Sequence, residues 1–247
     1  MKHNLESILR IAMLPILLTI CSVSLQAQAQ SELLVVATFV SGDVVFNHAG
    51  KQSKVKTNAV FGKDDEIITK SGKVDIQIGP NVIIRLSNFS SLKMKDLLDL
   101  GDSQKINVEV SSGNVYSKIV KKLNKNSEFN LQGQTTTAGV RGTEFLLSED
   151  ESEKNKGEDA DVPNGVFVNE GSVEVGDAKS GKKQELNEGE EIVAKGGELK
   201  KQMLEEFIKK KMEIFKKLDV MKEENYKLLK EQREKNKALF DEMRNPK

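Results

Sequence analysis

Residues 135–145 place one arginine between two glycines in a threonine-rich stretch. Arg141 lies between Gly139 and Gly142, with threonine hydroxyls on both sides. A guanidinium pairs best with a carboxylate, and glycine permits backbone conformations or close approaches that a side chain would forbid. We therefore expect a strand–turn–strand in which Arg141 is structural, with a binding role as the alternative. The residues of this motif are Gly139, Val140, Arg141, Gly142, Thr143 and Phe145.

The residues that most often carry catalysis or bind metals are scarce. Cys21 is the only cysteine, and the two histidines are His3 and His48. One imidazole and no thiol beyond the N-terminal segment exclude a His-rich zinc site and a Cys-ligated metal. His48 lies in a segment typical of a hairpin tip, so we interpret it as an exposed turn residue. The sequence predicts no catalytic residue, no metal site and no cofactor.

Carboxylates are concentrated in residues 148–165, a stretch with seven Asp and Glu residues and few apolar ones. Such a stretch cannot bury enough surface to order itself, so it is predicted to be a disordered acidic loop at a hairpin tip. The calcium-loop spacing D-x-[DN]-x-[DN]-G is absent. Elsewhere no carboxylate pair lies in a convincing apolar strand context, which disfavours a hydrolase.

The N-terminus is typical of a secretory signal. Lys2 and Arg10 precede an apolar run at residues 11–25, and Ala27 and Ala29 supply a small-x-small cleavage pattern. We predict a signal peptide over residues 1–29, cleavage after Ala29 and a periplasmic or secreted location. The alternatives are an uncleaved inner-membrane anchor and a lipoprotein attached through the cysteine in this segment.

The charge balance disfavours nucleic acid as a partner. The 38 basic and 38 acidic residues cancel, and 5% of residues are aromatic, so neither a global positive field nor many stacking platforms exist.

Residues 33–197 are predicted to be an antiparallel, hairpin-rich β-sandwich or β-roll. Residues 74–78 strictly alternate apolar and polar positions, and Gly-Pro-Asn joins them to a second run at residues 82–86, which indicates a hairpin. Residues 111–114 are predicted to be a second turn, between two further strands.

The C-terminal region, residues 198–247, changes character. It has no internal glycine or proline before Pro246, and its apolar residues recur at threes and fours. This pattern predicts a long, charged amphipathic helix, with a coiled coil as a variant. We expect this helix to act as an interaction arm for an unknown envelope protein or for a second copy of the chain.

These motifs together resemble the FecR domain, whose hallmark is a V-R-G-T-x-F run. The resemblance covers residues 33–197, most of the chain beyond the signal. The matching segments are residues 40–44 (strand and Gly-x-Val turn), 65–72 (D-x-I-x-T-x-x-x-G), 74–86 (hairpin), 140–145 (V-R-G-T-x-F), 168–175 (V-x-E-G-x-V-x-V) and 186–190 (L-x-x-G-E).

The resemblance implies a β domain that binds a partner. FecR-type regulators of sigma factors carry a cytoplasmic anti-sigma segment, one membrane helix and a periplasmic domain that senses an outer-membrane transporter. Here about ten residues precede the apolar run, and a lysine-rich helix follows the β domain. We therefore expect an exported, non-enzymatic binding or scaffold module of the cell envelope. The alternative is a regulatory, anti-sigma-like signalling protein anchored by an uncleaved N-terminus, which is the case in which the membrane is a partner.

Overall fold

The computed structural model describes most of the chain from residue 31 onwards. Within the described part, no helix is both long and apolar enough to cross a membrane. The predicted signal peptide lies outside the described residues. The described residues are 31–119, 126–134, 136–140, 142–149, 159–177, 180–195, 198–215, 230, 231, 234 and 235.

Two β-sheets share one long central strand, β10 (Gln104–Ile119). Every ladder among the described residues is antiparallel except the one between β10 and β11, so the predicted mainly β, antiparallel fold is confirmed. In spatial order, sheet A contains β4 (Lys51–Lys54), β3 (Val44–His48), β6 (Glu66–Thr69), β9 (Ser91–Asp99), the first half of β10, β11 (Glu128–Gln132), β12 (Thr136–Val140), β15 (Ser172–Asp177) and β16 (Lys183–Asn187), with the short β1 (Ser31–Glu32) also on β9. Sheet B contains β5 (Val60–Phe61), β2 (Val35–Ser41), β7 (Lys73–Ile78), β8 (Val82–Leu86), the second half of β10, β13 (Glu144–Glu149), β14 (Gly165–Glu170), β17 (Glu190–Lys195) and β18 (Glu198–Met203).

Strand β10 continues through residues 111–114, where the sequence predicts a turn. That prediction is wrong: the first half of β10 pairs with β9 in sheet A, and the second half pairs with β8 and β13 in sheet B. Gly113 has φ +85°, and a Cβ there would lie 2.6 Å from the Cα of Ser90. The glycine therefore bends the strand from one sheet into the other without reversing it.

The main core lies between the two sheets. On the predicted hairpin, Val74, Ile76 and Ile78 are fully buried on β7, opposite Leu86, Ile84 and Val82 on β8. Side chains from both sheets belong to this one cluster, as period-2 alternation requires when one face of each sheet points inward. The largest buried side chains of the cluster are Phe61, Phe129 and Phe145.

A second apolar cluster covers the outer face of sheet B. The helix α1 (Glu206–Met212) and the turn before β14 pack on it. The residues of this cluster are Ile83, Tyr116, Leu146, Val162, Phe167, Leu204, Ile208, Met212 and Phe215. Sheet B is thus buried on both faces where β8, β10, β13 and β14 meet.

The C-terminal region differs from the predicted helix that begins at residue 198. Glu198–Met203 is strand β18, which pairs with β17 from Lys195↔Glu198 to Glu190↔Met203, and the helix begins at Glu206. Strand β18 supplies hydrogen-bond partners along the free side of β17, and this ladder overrides the helix propensity of Leu, Lys and Met. The apolar side of α1 contacts the chain's own β domain, so the region up to Phe215 is part of the folded unit rather than a free arm. The remainder of the predicted helix lies outside the described residues, apart from 230, 231, 234 and 235, which are helical.

Both ends of the predicted acidic loop are ordered, which corrects that prediction for these residues. Ser148 and Glu149 are buried in β13, and Gly165 begins β14. Val162, 4% exposed, packs into the second cluster. The single valine anchors residues 159–164 despite their polarity. Residues 150–158 lie outside the described residues.

Candidate functional site

The glycine- and threonine-rich segment singled out by the sequence crosses from sheet A to sheet B. It leaves β12 at Val140 and enters β13 at Glu144, with Gly142 at φ +66° between them. On β12, Gly139 lies opposite Asn130 and Val140 lies opposite Phe129. Arg141 lies outside the described residues, so its predicted structural role stays a prediction.

Another crossing between the sheets, at Gly171, lies directly against this one. The Thr143 hydroxyl donates to the Ser172 carbonyl at 2.9 Å, and the Thr143 carbonyl accepts the Ile119 N–H at 3.0 Å. A Cβ on Gly171 would lie 2.6 Å from the Gly142 carbonyl oxygen. The segment therefore joins three elements: the end of β10, the β12–β13 crossing and the β14–β15 turn.

Phe145 fixes this junction to the core. Its fully buried ring meets the Phe129 ring edge to face, with the centroids 6.3 Å apart. Thr143, Phe145 and Gly142 thus lie together at one junction between strands. These residues have structural contacts, and the charged side chains of the candidate site lie next to them.

A polar cavity of about 400 Å³ opens next to the junction, between sheet B and α1. Lys118 Nζ lies 2.7 Å from the Glu144 carboxylate, and both side chains are close to nine-tenths buried. Asn169 donates a second hydrogen bond to Glu144 at 2.7 Å. Glu144 directly follows Thr143, and Glu170 on the same wall directly precedes Gly171, so the cavity is continuous with the junction.

The helix forms the opposite wall of this cavity. Lys209 and Glu213 lie at its exposed rim, and Met212 and Phe215 contribute apolar surface. The cavity combines an internal ion pair with exposed charges of both signs. Such a surface suits a polar or mixed-charge segment of a partner better than an apolar ligand.

Helix α1 is tied to the turn before β14 by a charged link. Lys211 Nζ lies 2.7 Å from Asp161 and 3.2 Å from Asp159, and the Ser87 hydroxyl donates to the second Asp159 oxygen at 2.6 Å. The hydrogen bond from Lys211 lowers the pKa of Asp161 below its ordinary value. Burial acts to lower the pKa of Lys211, but its hydrogen bonds to Asp161 and Asp159 outweigh burial and leave that pKa raised. These links hold the helix in place over the cavity.

The sequence did not single out Lys118, Glu144 or Asn169. Lys118 and Glu144 are charged residues at outward positions of strands that are otherwise buried, and this placement could have marked them as candidates. The two residues pair directly between β10 and β13. They lie far apart in the sequence, so the sequence alone does not show that they pair.

His48 lies at the end of β3, where the predicted hairpin tip is found, and its side chain is 68% exposed. Within the described part of the chain, no three His, Cys, Asp or Glu side chains are grouped as metal ligands.

The comparison with protein families agrees with this architecture. A family model described as FecR protein matches residues 65–174, which run from the start of β6 to within β15. Residues 65–174 thus match a FecR domain. The match includes the β12–β13 crossing, the hallmark segment and three residues that line the cavity, namely Lys118, Glu144 and Asn169. The strands before and after the matched residues extend both sheets.

Two solved structures are similar to the chain. Both are crystal structures of a putative anti-sigma factor from Parabacteroides distasonis ATCC 8503, at 1.65 Å and 2.50 Å resolution. Each is 15% identical in sequence and has a TM-score of 0.45, over 57% of this chain. The chain spans 60% of the length of those structures. None of the curated proteins matches the chain.

Proposed function

We propose that this protein is an exported, non-enzymatic binding module of the cell envelope. Its FecR domain would act as a scaffold that presents one partner-binding surface. The observation that carries the proposal is the charged cavity beside the hallmark segment, walled on one side by helix α1.

The chemistry of the cavity supports binding rather than catalysis. The Glu144 carboxylate is engaged by Lys118 and Asn169, so it is held as an ion-pair acceptor. A general base needs a partly free carboxylate or imidazole within reach of a substrate proton. Lys209 and Glu213 at the rim are exposed, and exposed charges of both signs set orientation and specificity in protein interfaces.

The partner would be an envelope protein, with a second copy of the chain as the alternative. Helix α1 forms a wall of the cavity, and the charged, amphipathic C-terminal sequence follows directly after it. A partner that contacts the rim would therefore meet the C-terminal segment as well. This continuity supports a combined surface rather than two separate ones.

The test is quantitative capture from envelope fractions with three forms of the protein. The first is the wild type, and the second exchanges the rim charges (Lys209→Glu with Glu213→Lys). The control exchanges two exposed charges on the β15–β16 hairpin (Lys182→Glu with Glu185→Lys). Both double variants keep the net charge. We expect a protein retained by the wild type and the control and lost from the rim variant; identical retention by all three would contradict the proposal.

A regulatory, anti-sigma-like protein with an uncleaved N-terminal anchor is the second candidate, favoured by the match to the FecR protein family. Membrane extraction distinguishes the two, because an anchored protein stays with the membrane in high salt and carbonate, whereas an exported one is released.

A further inference from the structure

A second cavity lies far from the hallmark segment, at the opposite end of the two sheets. Its floor is one face of the β3–β4 hairpin. His48 pairs with Lys51 and Phe46 pairs with Ser53, so these four side chains share that face. All four line an open cavity of about 380 Å³.

The opposite wall comes from the edge strand of sheet B. Val60 and Phe61 form this wall, and the Phe61 ring meets Phe46 edge to face with the centroids 5.4 Å apart. Val60 is 47% exposed, although it is a large aliphatic residue in a strand. Because none of the described residues covers Val60, the cavity keeps an unfilled apolar surface between two edge strands, β4 and β5.

A buried carboxylate orients the imidazole at the rim. His48 Nδ1 lies 2.5 Å from Asp65 Oδ1, and Asp65 is 5% exposed at its side chain. The second oxygen of Asp65 accepts the Gly62 N–H at 2.9 Å. Both carboxylate oxygens are thus engaged, and Nε2 of His48 is left for a ligand. The Lys51 ammonium supplies a full positive charge on the same face.

The turn that sets His48 opposite Lys51 is strained. Ala49 has φ +48° and Gly50 has φ +80°, so both turn residues are left-handed. Glycine and asparagine favour this two-residue turn, and alanine in it is destabilising. Backbone strain of this kind is found where a site requires a specific geometry.

We propose that this cavity binds a small carboxylate with a compact apolar body. The apolar body lies against Phe46, Phe61 and Val60. The ligand carboxylate accepts hydrogen bonds from the Lys51 ammonium and from Nε2–H of His48, whose Nδ1 contacts Asp65. This site is independent of the cavity beneath α1, so either can fail without the other.

The test follows the histidine ring signals by NMR while 3-phenylpropionate is added to the full chain at pH 6. The His48 signal is identified by its loss in His48→Gln. We expect a saturable shift of the His48 signal alone. The neutral analogue 3-phenylpropanol, which keeps the apolar body, should bind about tenfold more weakly because a charge-assisted hydrogen bond is lost.

Two variants and one matched control decide the outcome. Lys51→Gln should weaken binding of 3-phenylpropionate about tenfold, whereas Lys54→Gln, on the same strand but the opposite face, should leave it unchanged. Val60→Glu places a negative charge on the apolar wall and should abolish binding while the thermal unfolding transition is retained. Absence of a saturable shift at millimolar ligand, equal binding of the alcohol, or equal effects of the two lysine variants would each overturn the proposal.

Discussion

The Tyr116 ring on the central strand meets the Phe215 ring, just beyond the end of α1, edge to face, with the centroids 5.9 Å apart. Tyr116 belongs to the half of β10 that lies in sheet B, and Phe215 is 1% exposed. The C-terminal region is thereby fixed to the middle of the FecR domain, beside the charged cavity.

Phe215→Ala should lower the free energy of unfolding by about 3–5 kcal/mol, because it removes a fully buried ring and leaves a cavity against Tyr116. Phe207→Ala, in α1 itself, is the matched control. Phe207 is 38% exposed, so its truncation should cost well under half as much. Urea unfolding of both variants measures the difference. Equal, small effects would show that the helix does not belong to the folded unit.

The ion pair between Lys211 and Asp161 should make stability depend on pH at the acid end. The pKa of Asp161 is lowered in the folded state from 3.8, so its contribution is present above that value and is lost as pH falls through the lowered pKa. Asp161→Asn should therefore destabilise the protein at pH 7, and the difference from wild type should shrink as pH falls below 3.8. Glu206→Gln, which also neutralises an exposed carboxylate but lies in α1, is the matched control. Urea titrations at several pH values test this, and a difference that persists at low pH would contradict it.

Lys211 adds the opposite dependence at high pH. Its pKa is raised from 10.5, so its contribution is present below that value and is lost as pH rises through the raised pKa.

Gly171→Ala should lower the free energy of unfolding by more than the cost of placing alanine in a left-handed conformation, because it also disturbs the junction between the two crossings. Gly171 has φ +84°, and an added Cβ would meet the Gly142 carbonyl at 2.6 Å. Gly189→Ala is the matched control, since Gly189 has φ +77° and open space around its Cβ position. We expect the control to cost about 1–2 kcal/mol and Gly171→Ala at least about 1 kcal/mol more, by thermal or urea unfolding. Equal costs would mean that the two crossings move apart freely.

Much of the fold is predictable from local pattern. Strict alternation in residues 74–78, followed by a turn and the apolar run 82–86, predicts the hairpin β7–β8. The alternation also gives β7 its correct inward face, because burial of one face imposes period 2. The apolar runs around Ile83, Leu146 and Phe167 also carry information. Runs without alternation indicate strands buried on both faces, and they could have predicted that something covers sheet B.

Other features depend on long-range contacts that a local pattern does not contain. The residues around Gly113 are typical of a turn. Gly113 is instead a bend within one strand, because the two halves of β10 pair with strands of different sheets. Strand β18 has helix-forming residues, and it is extended because it pairs with the free edge of β17. The cavity needs Lys118 beside Glu144, and their pairing exists only once β10 and β13 are neighbours.

Export is tested by the intact mass of the protein isolated from cells. Small residues at Ala27 and Ala29 after an apolar run predict cleavage after Ala29, so the mass should lack residues 1–29. A mass that includes them would favour the anchored, regulatory alternative.

The central claim is that the protein binds a partner at the cavity beneath α1. Its most direct test is site-specific photo-cross-linking in living cells. One photoreactive residue replaces Lys209 at the cavity rim, and in a second form it replaces Lys182 on the β15–β16 hairpin. We predict a discrete cross-linked product from position 209 that is absent from position 182 and disappears with Glu213→Lys. No product at position 209, or the same product from both positions, would contradict the claim.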